Sequence, residues 1–369
     1  MSARRGFLAG GLVVAALLAA PLTLRGQEAR RTLFTGAEYR TLSFDAGLGT
    51  KTVSELVVPL GLVIPFSDRV TLDLGTRFAR AERTDEADSS ATITGLTDVE
   101  ARAVIQLVPD VALFTVGANL PTGKTKLSSE ELAVAGAIAS DLLPFPVSNF
   151  GSGASVTTGL AFAVPVAGWA LGLAGSYRMS GSFTPLAGVD STYKAGAEVR
   201  IRAGLDRVIG QGRFSAGFTY SSFSTDEFGG AEVFRPGRRY ISQASLSLPL
   251  GNIGLSVYAW DLYRAAGDVP INGQTTGKQN LVTVGAGLSI QRGRNLLRPS
   301  VEYRMIGEGD STLVRAGTLL SLGLRYQIAM GETMSVQPSL WFDTGSLPNG
   351  GTDVGFRGFS IGMSVRKTM

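Results

Sequence analysis

Side chains from residue 98 to 107 alternate between two chemistries. Asp98, Glu100, Arg102 and Gln106 share one parity; Val99, Ala101, Ala103, Ile105 and Leu107 share the other. A strand has a side-chain period of two, so this stretch makes a strand with one wet face and one apolar face. The stretch Gly95 to Gly123 contains two such strands, joined at Val108-Pro109-Asp110, and then opens into a long loop. About sixteen strands of this kind follow from the same reading, near 33–44, 52–64, 69–80, 94–107, 110–120, 154–164, 168–179, 193–206, 211–223, 238–249, 252–264, 279–291, 296–306, 314–329, 333–344 and 354–367. Most have the ~9–11 residues that a tilted strand needs to cross a bilayer.

The connections restrict the fold further. Short turns fall at 65–68, 109–110, 165–168, 208–212, 249–252, 291–295 and 329–332. Longer polar links fall between them, at 45–51, 81–93, 121–153, 180–192, 224–237, 265–278, 307–313 and 345–353. Short and long alternate throughout, as the periplasmic turns and outer loops of a membrane barrel do. The expected fold is therefore an all-β, transmembrane, antiparallel up-and-down barrel of about sixteen strands (fourteen is the alternative count), with both termini in the periplasm.

Composition agrees with this reading and excludes others. After the first thirty positions no run of ~18 apolar residues remains to make a spanning helix. Histidine and cysteine are both absent. A Ser-His-Asp hydrolase has no imidazole here, zinc has neither of its usual ligands, and no disulfide can form. No cofactor or metal is expected, and an enzyme is the least favoured class. The first residues read as a secretory signal: Arg4 and Arg5, an apolar stretch from Leu8 to Leu24, and cleavage near Gly26, with Ala20 as a second position. The expected division is thus a cleaved signal over 1–26 and a barrel over 27–369. The formal charge of +4 falls to about +1 once Arg4, Arg5 and Arg25 are removed, so the basic balance does not point to nucleic acid.

A charge facing lipid costs ~2–4 kcal/mol at mid-membrane, so the charged parity must face the lumen. The expected lumen residues are Arg77, Glu100, Arg102, Glu198, Arg200, Arg202, Arg298, Glu302, Arg304, Arg315 and Arg325. Rings of charge set ion preference in pores, and cations outnumber anions here. The alternative is that these groups pair across strands, Glu198 with Arg200 and Glu302 with Arg304, and only hold the wall. Aromatic residues at strand ends, among them Phe78, Tyr177, Tyr240, Trp169 and Phe214, form two candidate interfacial girdles.

Two stretches depart from the pattern. The link 121–153 is too long for a simple connection. Ser128 and Glu131 have the spacing of a capping box, and residues 132–143 suit a helix ended by Pro144. Ser128, Glu131, Leu132, Ile138, Leu142 and Leu143 are therefore candidates for a plug folded into the lumen or mouth; a solvent-facing loop is the other reading. Pro59 lies inside a strand and removes one ladder hydrogen bond. It marks either a local sideways opening or an ordinary irregularity. Gly117 to Thr125 looks like a phosphate loop, but five residues separate Gly117 and Gly123 where four are required.

Three short motifs carry a resemblance: Gly95-Leu96-Thr97-Asp98, Leu120-Pro121-Thr122-Gly123-Lys124 and Gly151-Ser152-Gly153. Together they resemble the outer-membrane family associated with the meta-pathway of phenol degradation, which is similar in turn to long-chain fatty-acid transporters. The likeness covers roughly 95–180, and Thr97 stands where glycine is commoner. It implies a barrel that passes small, often apolar or aromatic, compounds. The expected function is passive passage of small molecules through an outer membrane. A general or weakly anion-selective porin is the nearest alternative, and a structural or adhesive barrel that binds partners through its outer loops is the alternative of another class. Expected partners are outer-membrane lipid and lipopolysaccharide, the barrel-assembly machinery and small-molecule solutes, with no nucleic acid.

Overall fold

Residues 30–369 are described by a computed structural model; the candidate signal segment lies outside them. Each alternating stretch pairs with its neighbours along the chain. The wall strands are β1 Thr32–Phe44, β2 Thr52–Ser67 and β3 Val70–Thr84, then β4 in two halves, Ser90–Leu96 and Val99–Val108, and β5 Ala112–Leu120. Among the described residues one helix, α1 Ser129–Ile138, interrupts them. The wall continues as β6 Ser155–Val166, β7 Trp169–Ser180, β8 Glu198–Ile209, β9 Gly212–Phe223, β10 Arg239–Leu250 and β11 Ile253–Arg264. It ends with β12 Lys278–Arg292, β13 Asn295–Gly309, β14 Val314–Met330, β15 Met334–Asn349 and β16 Thr352–Thr368.

Every neighbouring pair is antiparallel. β16 returns to β1 with Thr32 opposite Thr368 and Phe44 opposite Phe356, which closes sixteen strands into a barrel. Closure leaves no sheet edge along the full height of the wall, as a span through hydrocarbon requires. The seven short turns all lie at the end that carries Thr32 and Thr368. At Ala167-Gly168 the loop is two residues long and both have positive φ, 50° and 80°, the mirror-image turn whose twist matches a hairpin. This is the periplasmic end. Four further short strands, Ser182–Phe183, Tyr193–Lys194, Asp226–Phe228 and Ala231–Phe234, pair with each other beyond the opposite, outer rim.

The outward parity is apolar and open. Leu173 and Ile361 keep 58% and 57% of their surface, values that suit lipid contact and no soluble core. Tyr220, Tyr240 and Tyr263 pack side by side near the outer rim, with centroids 5.5 and 6.0 Å apart, while Trp169 meets Phe214 edge-on at 6.3 Å near the inner one. The chain is a transmembrane barrel.

Several strands run a few residues beyond the expected ends, and one strand start and the helix differ in ways that bear on the lumen. β8 begins at Glu198 and not near 193, because Tyr193 and Lys194 pair with Phe228 and Glu227 in the outer sheet. Lys194 is therefore not on the lumen wall. The helix runs over Ser129–Ile138 and not over 132–143. The residues after it, 139–143, make the wall contacts described below in place of about one and a half further helical turns.

Candidate functional site

Alternation alone does not carry β4 through the wall. Its outer half turns Ala91, Ile93 and Gly95 inward, and strict period-two continuation would send Asp98, Glu100 and Arg102 toward lipid. The register shows how this is avoided. Phe78 faces Leu96 and Gly75 faces Glu100, so three residues, Thr97 to Val99, stand opposite two, Thr76 and Arg77. One extra residue is a β-bulge, which reverses which parity faces inward. Thr97 stabilises it: its N–H donates to the Arg77 carbonyl at 2.7 Å, and its hydroxyl accepts the Arg77 N–H at 3.0 Å.

The bulge aims Asp98 at the roots of the long link. Asp98 Oδ1 accepts the Gly123 N–H at 2.9 Å, and Oδ2 accepts the Ser152 N–H at 2.7 Å and the Asn119 side-chain amide at 2.8 Å. One buried carboxylate thus ties together both ends of the segment 123–152. Hydrogen bonds to a charged acceptor are the stronger kind. Gly123 is required for this approach, since a Cβ there would overlap the Phe150 carbonyl and fall 2.6 Å from the Asp98 nitrogen. Val99 N–H also donates to the Thr122 hydroxyl at 2.9 Å. The three motifs of the family resemblance therefore meet at one clasp.

Between its roots the segment crosses the barrel interior. It leaves the wall between β5 and β6 and reaches strands on the far side. α1 begins with the capping box: the Glu131 N–H donates to the Ser128 hydroxyl at 3.2 Å, and the Ser128 N–H donates to Glu131 at 3.1 Å. Lys124 pairs with the same carboxylate. Burial works against charge on Glu131, but the Lys124 ammonium and the Ser128 N–H together hold its carboxyl below the usual range. Val134 and Ile138 are buried, whereas Leu132 stays 48% exposed. Beyond the helix, Asp141 pairs with Arg264 on β11, the Leu142 carbonyl accepts from Arg304 on β13 at 3.5 Å, and the Val147 N–H donates to Glu55 on β2 at 3.2 Å.

Leu142, Leu143, Phe145, Val147 and Phe150 complete the segment's apolar body. They share one cluster with inward-facing Leu42, Val53, Val57, Ala79, Ala81 and Ile93 on β1 to β4, and with Leu262, Leu281, Ile306, Leu319 and Phe356 on β11 to β16. These inward apolar residues all lie in the outer halves of their strands. In the inner halves the lumen face carries most of the charged pairs, among them Glu38 with Arg40, Asp73 with Arg102, Asp206 with Arg213 and Glu302 with Arg304. Under Pro144 is a cavity of about 190 Å³, lined by Glu38, Arg40, Glu302, Arg304, Ser321, Arg325 and Trp341.

The expected lumen residues divide into two groups. Arg200 pairs with Glu198 at 2.8 Å, Arg304 with Glu302 at 2.8 Å, and Arg102 with Asp73. Arg40, between Glu38 at 3.2 Å and Asp343 at 2.8 Å, and Arg213, at 2.7 Å from Asp206, extend this wall network. Arg77 faces Pro59 across β2 and β3, Glu100 stays exposed two residues below Asp98, and Arg202 lies one inward step below Arg200. Arg298 and Arg325 stand directly opposite each other, with Arg325 over the Trp341 ring at 5.0 Å. Arg315 does not line the lumen as alternation predicts: it lies at the outer rim, second in β14, where Ala316 is an extra residue opposite Ile306/Gly307 that reverses its parity, and it pairs with Asp353 at 2.5 Å. Glu55, Asp141 and Arg264, which hold the segment, were not among the expected site residues, and Asp98 was expected only as one of the charges on the lumen face. For Asp98 the Gly95–Asp98 motif held the signal; nothing local in sequence marks the others.

Pro59 lies mid-wall with its ring on the inward parity. The β1–β2 ladder omits the two pairs around it and then resumes with the same register, from Thr35 opposite Leu60 to Glu38 opposite Val57. The same two-pair interruption recurs at Pro299 and at Pro338, near the periplasmic ends of β13 and β15. The missing donor of proline accounts for all three.

No family model matches the chain, and no curated protein matches it. Among solved structures it is similar to the CymD monoaromatic hydrocarbon channel, at 13% identity over 96% of this chain and 92% of that one, with a TM-score of 0.46. It is similar to a mutant of the TodX monoaromatic hydrocarbon channel at 9% identity over 96% and 94%, with a TM-score of 0.47. It is also similar to OmpT, an outer membrane protein of Vibrio cholerae, at 13% identity over 93% and 99%, with a TM-score of 0.40. At these values the likeness does not extend to individual sites.

Proposed function

We propose that this chain is an outer-membrane channel for passive passage of small solutes, and that the segment 121–153 sets what passes. The observation that carries this reading is the clasp at Asp98. A loop of this length left in solvent needs no buried carboxylate to fix both of its roots, and no ion pair or carbonyl contact on the opposite wall. A barrel of sixteen strands has a lumen wide enough to hold water, and the segment occupies its outer half. Apolar or aromatic solutes are the class suggested by the sequence resemblance. The lipid-facing belt and the aromatic girdles support insertion in an outer membrane, with lipid and lipopolysaccharide as surroundings and the barrel-assembly machinery as the route in. Planar-bilayer recording of the refolded chain tests the reading. Discrete conductance steps support a channel; a silent barrel would favour a structural or adhesive role carried by the outer loops.

A further inference from the structure

The apolar body of the segment 121–153 does not rest on the whole wall. The buried cluster that holds it draws its wall residues from β11 to β16 and β1 to β4, and none from β5 to β9. On the side it leaves, the inward positions of β6 to β9 are mostly small or polar, such as Thr157, Ser176, Thr219 and Ser221, interleaved with arginines; the exception is Phe223, whose ring lies 5.1 Å under the Arg239 guanidinium. Arg178 on β7, Arg200 and Arg202 on β8, Arg239 on β10 and Arg264 on β11 form an arc around this side. The carboxylates near them are Glu198, which pairs with Arg200, Asp141, which pairs with Arg264, and Asp226 above Arg178. Five guanidinium groups thus face three carboxylates.

Two details of this arc are costly for a wall that only has to stand. Arg239 lies directly opposite Arg264 across β10 and β11, and like charges in that position repel. The Nε atoms of Arg178 and Arg239 are buried without a hydrogen-bond partner, and an unmet buried donor is expensive. An anion held at the guanidinium heads offsets the repulsion. On the basis of the channel reading, we infer that the arc is a binding and passage site for small organic anions, carboxylates and sulfonates, which move between the arginine wall and the segment 121–153. Further down, Arg298 and Arg325 repeat the opposed pair on the periplasmic side. An anion leaving the arc meets positive charge again before it exits.

The test uses the refolded full mature chain in planar bilayers, with benzenesulfonate and trimethylphenylammonium as probes of one ring and opposite charge. The wild type is expected to pass the sulfonate at least about threefold better than the ammonium ion. Arg178→Gln with Arg239→Gln is expected to bring the ratio close to one, and Arg178→Lys with Arg239→Lys to keep most of it, which separates charge from folding. Conductance with no preference, or with a preference for the ammonium ion, overturns the inference and leaves the channel reading intact. A ratio unchanged in the double glutamine variant also overturns it. No conductance at all overturns the channel reading and this inference with it.

Discussion

Replacing Asp98 by alanine removes the one group that holds both roots of the inserted segment. The carboxylate accepts two backbone N–H groups, from Gly123 and Ser152, and the amide of Asn119. Hydrogen bonds to a charged group are worth about 1.5–3 kcal/mol each, and the freed donors regain part of that by binding water. A net loss of about 3 kcal/mol in docking free energy follows, which raises the undocked population roughly a hundredfold. The barrel itself should persist, since Asp98 sits at a bulge whose ladder bonds are made by Thr97 and Arg77. Lys124 and Lys126 lie at the released root, so trypsin reports the change. When reclosing outpaces cleavage, the rate tracks the open population, and cleavage at these lysines should rise by about the same factor while the heat-modifiable barrel remains. An Asp98→Ala protein as resistant as the wild type would refute the assignment of the clasp.

Gly123→Ala should act in the same direction with less force. Its Cβ meets the Phe150 carbonyl and Asp98, and overpacking of this kind costs ~1–3 kcal/mol; the same trypsin assay checks it. Pro59→Ala should leave solute uptake within about twofold of wild type, because Pro299 and Pro338 interrupt their ladders identically without any special position. A marked fall in uptake of apolar solutes by cells carrying Pro59→Ala would instead establish a sideways exit there.

The wall was legible because period-two patterning survives in nearly every strand, and because seven tight turns carry Gly, Pro or Asp where the chain reverses. The capping box of Ser128 and Glu131 was legible for the same reason: it is local. The bulge at Thr97 and Asp98 was not, since one inserted residue changes parity without changing composition. Nor was the apolar outer lumen. Leu42, Val53, Ala79 and Leu319 look like lipid-facing residues in sequence, and only the segment packed against them shows why they point inward. Glu55, Asp141 and Arg264 are far apart in the chain, so no spacing could join them. The outward turn of Arg315 was not legible because the one extra residue, Ala316, reverses parity without leaving a mark in the alternation.

If the segment crossing the lumen sets permeation, its removal must change what the barrel conducts. Deleting 128–145 removes α1 and the far-wall contacts of Asp141 and Leu142 but keeps Asp98, Gly123 and Ser152, so the wall and the clasp remain. Single-channel conductance of the refolded protein with and without these residues tests the claim most directly. A several-fold larger conductance is expected in the deletion variant, in keeping with a water-filled sixteen-stranded lumen. Equal conductance in the two proteins would contradict it.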